Sequence, residues 1–238
     1  MKTDIICGFP AVAALFDRRP EAVQRLFYLP ARKELAGPFC ALMAKAHRPY
    51  RMIEAEEEMR TIAATTHHGG IAAVAEARKI PIFDAAAPPR GKFLLILDGI
   101  GNPHNLGAIA RSAAFFGAPA MLIGEGHGHA MLSDAAYRTA EGGLEHLALT
   151  RTRDLPKAIA ALEPYYRTVC TSLSRDAMPL PDLPRDRPVA LVLGNEERGV
   201  SEEVAAACRR QVRIVGTKRV QSLNVAQAAA VLIHELCK

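Results

Sequence analysis

The chain has 238 residues, half of them hydrophobic and 23% charged, which is the composition of a soluble globular protein with one large or two modest domains. No apolar run approaches the roughly 18 residues of a membrane span, which predicts a cytoplasmic protein without a membrane partner, and the five scattered cysteines argue against a disulfide framework or a zinc site. The net charge of +5 is compatible with a polyanionic partner, although the positive residues are spread along the chain instead of forming one tail.

The first 84 residues predict a small α/β module. Hydrophobic patterns indicate helices at 11–16, 21–27 and 56–64, and strands at 26–29, 51–53 and 71–74. The following segment, 85–91, consists of small residues, prolines, an arginine and a glycine, and it has no hydrophobic periodicity. We interpret it as a linker between domain 1–84 and domain 92–238.

The second domain predicts a parallel sheet. Phe93–Leu97 is a continuous apolar run, as expected of a strand that is buried on both faces of a mainly parallel sheet. Similar runs recur at 120–123, 146–149, 167–171 and 189–193, and helical patterns occur at 106–116, 133–140, 154–162, 201–208 and 224–236. Strands that alternate with helices indicate an α/β fold whose ligands bind at the carboxyl ends of the strands.

The first candidate motif runs from Asp98 to Arg111, through a strand end, a loop and a helix. It resembles a dinucleotide-binding turn, but His104 stands where the third glycine of G-x-G-x-x-G belongs and Pro103 interrupts the turn. A nicotinamide or flavin site is therefore disfavoured. Asn105 fits either an N-cap or a functional amide, and Arg111 fits either a surface residue or a functional guanidinium.

Two further loops have the same design. In the segment 191–201 a buried strand leads into a loop flanked by glycines, where Glu196 offers a carboxylate and Ser201 could cap the next helix. In the segment 214–236 either Ser222 or Asn224 could cap a strongly apolar helix. Three strand-to-helix loops of one design in one domain predict a shared pocket at one edge of the sheet.

The three loops carry the sequences NLGAIAR, LVLGNEERG and SLNVAQA, in this order. They resemble the three motifs of the SpoU (TrmH) family of RNA ribose methyltransferases, within the SPOUT class. In the first domain, Gly8, Val12 and the segment 66–71 resemble the L30e-like substrate-binding domain of that family. His68 and one additional glycine depart there from the His-Gln-Gly sequence common among relatives.

The resemblance implies a C-terminal domain with a deep trefoil knot, S-adenosylmethionine as methyl donor, no metal, and a homodimer formed through the methyltransferase domain. It implies transfer of a methyl group to a ribose 2′-hydroxyl of a structured RNA, with rRNA favoured over tRNA. The alternatives are an RNA-binding protein of the same fold without catalysis, and a generic nucleotide-binding enzyme that the missing phosphate fingerprint disfavours.

Matching positions supply the expected site residues. Those that hold the donor are Gly194, Ile214 and Leu223, with Thr171 as a further candidate. Those that surround the reacting ribose are Asn105, Arg111, Glu196, Ser222 and Asn224. Because a guanidinium rarely gives up a proton, we expect Arg111 to bind a neighbouring phosphate and to stabilise the developing alkoxide, whether or not it accepts the proton.

Two weaker features remain open. His127 and His129 lie in a glycine-rich loop that we interpret as a mobile surface loop, since no third metal ligand follows at a suitable spacing. Lys218 and Arg219 fit either RNA phosphate contacts or ordinary solvated charges.

Overall fold

A computed structural model of the protein describes residues 2–126, 128–217 and 219–237. The chain forms two compact units. The smaller unit consists of the residues up to Lys79 together with the segment 132–146. The larger unit consists of residues 80–131 and of the residues from Leu147 onward. Among the described residues, no helix is both long and apolar enough to cross a membrane.

The described residues form eleven strands and nine α-helices. The strands are β1 (Thr3–Cys7), β2 (Val23–Tyr28), β3 (Tyr50–Met52), β4 (Ile71–Glu76), β5 (Phe93–Leu97), β6 (Ala120–Gly124), β7 (Ala148–Thr152), β8 (Arg167–Thr171), β9 (Met178–Pro179), β10 (Val189–Leu193) and β11 (Arg210–Arg213). The helices are α1 (Phe9–Arg18), α2 (Lys33–Lys45), α3 (Glu56–Ala63), α4 (Pro103–Phe115), α5 (Asp134–Ala140), α6 (Gly143–His146), α7 (Leu155–Leu162), α8 (Glu202–Ala207) and α9 (Val225–Cys237).

The larger unit contains a seven-stranded sheet in the order β7-β6-β5-β10-β8-β11-β9, and every described strand pair in it is parallel. The strands β5, β6 and β10 are buried along their whole length, as their continuous apolar sequences predict. β10 lies between β5 and β8, and β11 lies between β8 and β9. The predicted α/β class with a parallel sheet is confirmed, while the trefoil knot stays a prediction.

The smaller unit contains a four-stranded sheet in the order β1-β4-β2-β3. β4 is antiparallel to β1 and β2, and β3 is parallel to β2. His68, which departs from the family's usual sequence, is buried in the turn before β4, where its Nδ1 accepts a hydrogen bond from the Gly70 amide at 3.1 Å. Its Nε2 lies 3.1 Å from a Glu56 carboxylate oxygen, so the imidazole closes this turn.

For the smaller unit one prediction is wrong and one helix was missed. The segment 21–27 is mostly strand and not helix, because Pro20–Ala22 forms a short 3-10 turn and β2 begins at Val23. Helix α2 was not expected, since Gly37 and Pro38 interrupt its sequence pattern. It forms nonetheless and buries Ala36 and Met43, so tertiary packing outweighs the low intrinsic propensity.

The division into units differs from the sequence-based limits at two places. The predicted linker 85–91 belongs to the larger unit, where the Tyr166 hydroxyl donates a hydrogen bond of 2.5 Å to the Pro89 carbonyl. The segment 132–146, which the sequence assigns to the second domain, packs within the smaller unit.

A buried ion pair explains why the segment 132–146 belongs to the smaller unit. The side chain of Glu145 is only 1% exposed, and its two oxygens accept hydrogen bonds of 2.8 and 2.7 Å from the Arg19 guanidinium. Arg78 lies 3.9 Å from the same carboxylate and also donates to the Leu144 carbonyl. Because a buried carboxylate is costly without such partners, the two arginines stabilise the packing of α6 on this unit.

Replacing Arg19 tests this ion pair. Arg19→Ala leaves the buried Glu145 carboxylate with Arg78 alone, so we expect the free energy of unfolding to fall by about 2–3 kcal/mol. Urea-induced unfolding followed by circular dichroism measures the change, with the exposed Arg18→Ala as the matched control. Equal losses in the two variants would contradict the assignment.

Candidate active site

The candidate site lies in the larger unit, at the carboxyl ends of β5, β10 and β11. Each of these strands is followed by an irregular segment and then a helix, which is α4, α8 or α9. β5 and β10 are adjacent, and β8 separates β10 from β11. Because parallel strands end at one edge of the sheet, the three segments start from the same side of the unit.

Asp98 holds the first segment against the second. Its buried carboxylate accepts hydrogen bonds from the Ser201 amide at 2.8 Å and from the Ser201 hydroxyl at 2.9 Å. Ser201 does precede α8, but its side chain makes no capping bond to that helix and binds Asp98 instead. The N-cap of α4 is Asn102, which accepts a hydrogen bond from the His104 amide at 2.9 Å. The interpretation of Asn105 as a plain N-cap is therefore wrong.

Gly194 follows β10 at a position that has no room for a side chain. A Cβ atom there would lie 2.2 Å from the Gly199 carbonyl carbon and from the Val200 nitrogen. The chain turns back at this point, and Asn195 and Gly199 exchange two backbone hydrogen bonds of 2.9 Å. Glycine permits this close approach, which makes the loop compact.

The side chain of Asn195 joins this loop to the first segment. Its Oδ1 accepts hydrogen bonds from the amides of Glu197 and Arg198 at 2.9 and 3.0 Å. Its Nδ2 donates to the Gly99 carbonyl at 2.8 Å. Sequence reasoning did not assign Asn195 a role, although its place directly after Gly194 in a buried strand-to-loop junction is the signal that could have found it.

Hydrogen bonds between side chains bring all three segments together. Asn105 on α4 donates through Nδ2 to the Glu196 carboxylate at 2.5 Å. Asn224 donates through Nδ2 to the Oδ1 of Asn105 at 3.2 Å. The Oδ1 of Asn224 also accepts from the Ala226 amide at 2.8 Å, so this residue caps α9 as well. The predicted convergence of the three segments is present in the described structure.

The remaining predicted site residues lie on α4, in the third segment and at the end of β8. Arg111 is exposed on α4, six residues beyond Asn105, which corresponds to about 9 Å along a helix axis. Ser222 is exposed and Leu223 is 44% exposed, shortly before α9. Ile214 is half-buried just after β11, and Thr171 is the half-buried last residue of β8, paired with Val212.

Sequence reasoning missed His129, which it assigned to a mobile surface loop. The imidazole packs against Gly124, where a Cβ atom would lie 2.1 Å from the ring carbon Cε1. Its Nδ1 accepts a hydrogen bond from the Gly99 amide at 3.3 Å. The neighbouring Ala130 amide donates to the Ile100 carbonyl at 2.7 Å. His129 therefore supports the same Gly99 segment that Asn195 binds.

Burial lowers the pKa of His129 from its ordinary value of 6.5, with the Asp98 charge acting in the opposite direction. The neutral ring is the form that accepts from Gly99. Because the folded-state pKa lies below the unfolded value, its contribution to stability is complete above about pH 6.5 and is lost as the pH falls through the lowered pKa.

Replacing His129 tests this contribution. Asn keeps an acceptor near the position of Nδ1 but does not titrate, so His129→Asn should lose less stability than the natural protein between about pH 7.5 and 5.5. Thermal unfolding at several pH values measures the difference, and because the other histidines are shared, they cancel in the comparison. The idea fails if both proteins show the same pH dependence.

Two predicted residues, His127 and Lys218, lie outside the described residues. Arg219 is described and is exposed. Within the described ranges there is no cluster of three His, Cys, Asp or Glu side chains that could hold a metal ion.

The three converging segments suit recognition of a polar ligand with hydroxyl groups beside an apolar ligand. Amide groups and a carboxylate from Asn105, Asn224 and Glu196 offer donors and acceptors at one place. In the third segment the described residues 214–217 and 219–224 have neither helical nor strand structure, so their backbone groups are not committed to secondary structure. Together with the partly exposed Leu223, they can contact a flat apolar ligand.

Comparisons with known proteins cover both parts of the chain. The sequence model of the SpoU rRNA methylase family matches residues 92–234, and the model described as RNA 2′-O ribose methyltransferase substrate binding matches residues 5–81.

Similar proteins include RlmB of a Burkholderia species, named a 23S rRNA (guanosine-2′-O-)-methyltransferase, which is 31% identical over 97% of this chain and 94% of the relative. YfiF of Escherichia coli O157:H7, named an uncharacterized tRNA/rRNA methyltransferase, is 30% identical over 97% of this chain, which spans only 66% of YfiF. Among solved structures, the AdoMet-bound rRNA methyltransferase of Sinorhizobium meliloti has a TM-score of 0.79 at 22% identity, over 98% of this chain and 86% of that one.

Proposed function

The chain belongs to the SpoU rRNA methylase family, and we propose that it transfers a methyl group from S-adenosylmethionine to a ribose 2′-hydroxyl of ribosomal RNA. Relatives that match nearly the whole chain are named for guanosine in 23S rRNA, which supports a guanosine of that RNA as the target. The observation that carries the proposal is the hydrogen-bonded chain Asn224–Asn105–Glu196, which gathers the three family motifs around one point.

The residues present fit the methyl donor. S-adenosylmethionine combines a flat adenine, a ribose and a charged methionine, and it supplies an electrophilic methyl group when bound. The buried Gly194, the half-buried Ile214 and the partly exposed Leu223 would contact it, largely through backbone groups, with Thr171 as a further contact. Support comes from the irregular backbone before α9 and from the AdoMet-bound structure of similar fold.

The ribose acceptor would lie beside the polar chain. Asn105, Glu196, Ser222 and Asn224 would orient its hydroxyl groups, because amides, a carboxylate and a hydroxyl form directional hydrogen bonds with a sugar. Arg111 would bind the adjacent phosphate and stabilise the negative charge that develops on the 2′-oxygen as its proton leaves. The main work of the protein is then alignment of the acceptor oxygen with the methyl group.

A homodimer formed through the methyltransferase domain is part of the proposal. Its support is apolar surface on two helices that pack against each other: Phe115 at the end of α4 is 82% exposed, and Val231 on α9 is also exposed. Exposed apolar surface of this kind marks interaction sites. We place the activity in the cytoplasm, where bacterial ribosomal RNA is found.

Mapping of 2′-O-methylation tests the proposed activity. Loss of one methylated guanosine in the 23S rRNA of a deletion strain, and its return with the gene, is the expected result. An unchanged methylation map would reject the activity. Calorimetry with S-adenosylmethionine then distinguishes a methyltransferase from an RNA-binding protein of the same fold without catalysis, because the latter need not bind the donor.

The assignment of Arg111 has its own test. Arg111→Ala should lower the rate of methyl transfer by about 10²–10³-fold, as expected when a group that stabilises developing charge is removed, while donor affinity stays within about twofold. Transfer of labelled methyl groups to rRNA and calorimetry measure the two quantities. The exposed Arg153→Ala is the matched control. Transfer at the natural rate by Arg111→Ala would defeat the assignment.

A further inference from the structure

The smaller unit has an open groove of about 730 Å³ that the candidate active site does not use. Its floor is the sheet formed by β2 and β3, and its wall is α3. Its lining includes Arg25 and Phe27 on β2, Arg51 on β3, and Glu58, Thr61 and Ile62 on α3, together with Leu26, Pro49 and Tyr50.

The strand register explains which side chains form the floor. Phe27 and Arg51 are directly paired across β2 and β3, so their side chains project from the same face of the sheet. Arg25 lies two residues before Phe27 and therefore shares that face. Leu26, between Arg25 and Phe27, is fully buried, although it also borders the groove.

The packing of α3 leaves this face partly uncovered. α3 contacts β4 and β1, which lie toward the edge of the sheet opposite β3. It buries Met59 and Ala63 there. β3 is an edge strand whose three residues are all exposed. Phe27 packs against the cluster that contains Met59 and Ala63 but is only half-buried, and it lines the groove.

Arg51 is held in an orientation that suits stacking. Its guanidinium lies over the Phe27 ring, 5.9 Å from the ring centroid, and it also pairs with the Glu58 carboxylate. The contact with Glu58 reduces the freedom of the side chain, and both Arg51 and Phe27 line the groove. Arginine planes and aromatic rings on a sheet are the surfaces on which unpaired RNA bases stack.

We propose that this groove binds one unpaired nucleotide of the RNA substrate, with its base stacked on Arg51 and Phe27 and its phosphate bound by Arg25. The inference rests on the proposed function, since it takes RNA as the ligand, and the match of residues 5–81 to a substrate-binding model supports that choice. Two arginines against one glutamate give the groove a net positive charge, which complements a phosphate.

Binding of a short, fluorescein-labelled single-stranded RNA to the full chain, followed by fluorescence anisotropy, tests the proposal. Arg51→Gln and Phe27→Leu should each raise the Kd about tenfold, because each removes a stacking surface. Arg25→Gln should weaken binding and reduce the slope of log K against log salt by about 0.7, the value for one lost phosphate contact. A duplex RNA of the same sequence should bind with little change in all three variants.

Arg60→Gln is the matched control, because Arg60 is an exposed arginine on α3 that pairs with Glu57 and is not among the residues that line the groove. It should bind the single strand like the natural protein. Arg25 and Arg51 are exposed, so their replacement should leave the thermal unfolding of the protein unchanged. If a double variant with Arg25→Gln and Arg51→Gln binds the single strand as tightly as the control, the groove is not a nucleotide site. A protein strand that pairs with the edge strand β3 would then be the better occupant.

Methyl transfer to rRNA tests the proposed function, and single-strand binding tests the groove, so the two can fail separately. Methyl transfer to rRNA by the natural protein, together with unchanged single-strand binding by the double variant, would overturn the groove and leave the function intact. Absence of methyl transfer by the natural protein would reject the function, whatever the binding assay shows. S-adenosylmethionine affinity should be equal in all these variants.

Discussion

The candidate active site depends above all on the side chain of Asn195, which forms hydrogen bonds in two directions. Its oxygen closes the loop after β10, and its nitrogen binds the carbonyl of Gly99 in the segment after β5. These contacts fix where Glu196 lies, and Glu196 in turn accepts from Asn105. Together with the bonds from Ser201 to Asp98, this amide group holds the first two family motifs against each other.

The segment after β5 is supported from more than one side, which makes the site preorganised. Asn195 binds the carbonyl of Gly99, His129 accepts from its amide, and the carboxylate of Asp98 is satisfied by Ser201. Each partner is a polar group that would be costly to bury alone, so the contacts are mutually dependent. Methyl transfer benefits from such support, since alignment of two reactants is the main contribution that the protein can make.

The smaller unit shows a different use of polar groups. Glu145, in a segment distant in sequence, is neutralised by Arg19 and Arg78 inside this unit, which is a structural role. Arg51 and Glu58, by contrast, are exposed beside a half-buried ring, where a salt bridge adds little stability. The contacts of Glu145 explain why the segment 132–146 belongs to this unit. The pair of Arg51 and Glu58 leaves a charged and aromatic surface available for recognition.

The sequence by itself determined the strands Phe93–Leu97 and Val189–Leu193, most of the helices, and the three loops that carry Asn105, Glu196 and Asn224, because continuous apolar runs and loop residues are local signals. It failed at 21–27 and at α2, where packing outweighed local preference. Only the tertiary structure decided the roles of Asn195, His129 and Glu145. Their partners lie 96, 30 and 126 residues away, and no local pattern encodes a hydrogen bond across such separations.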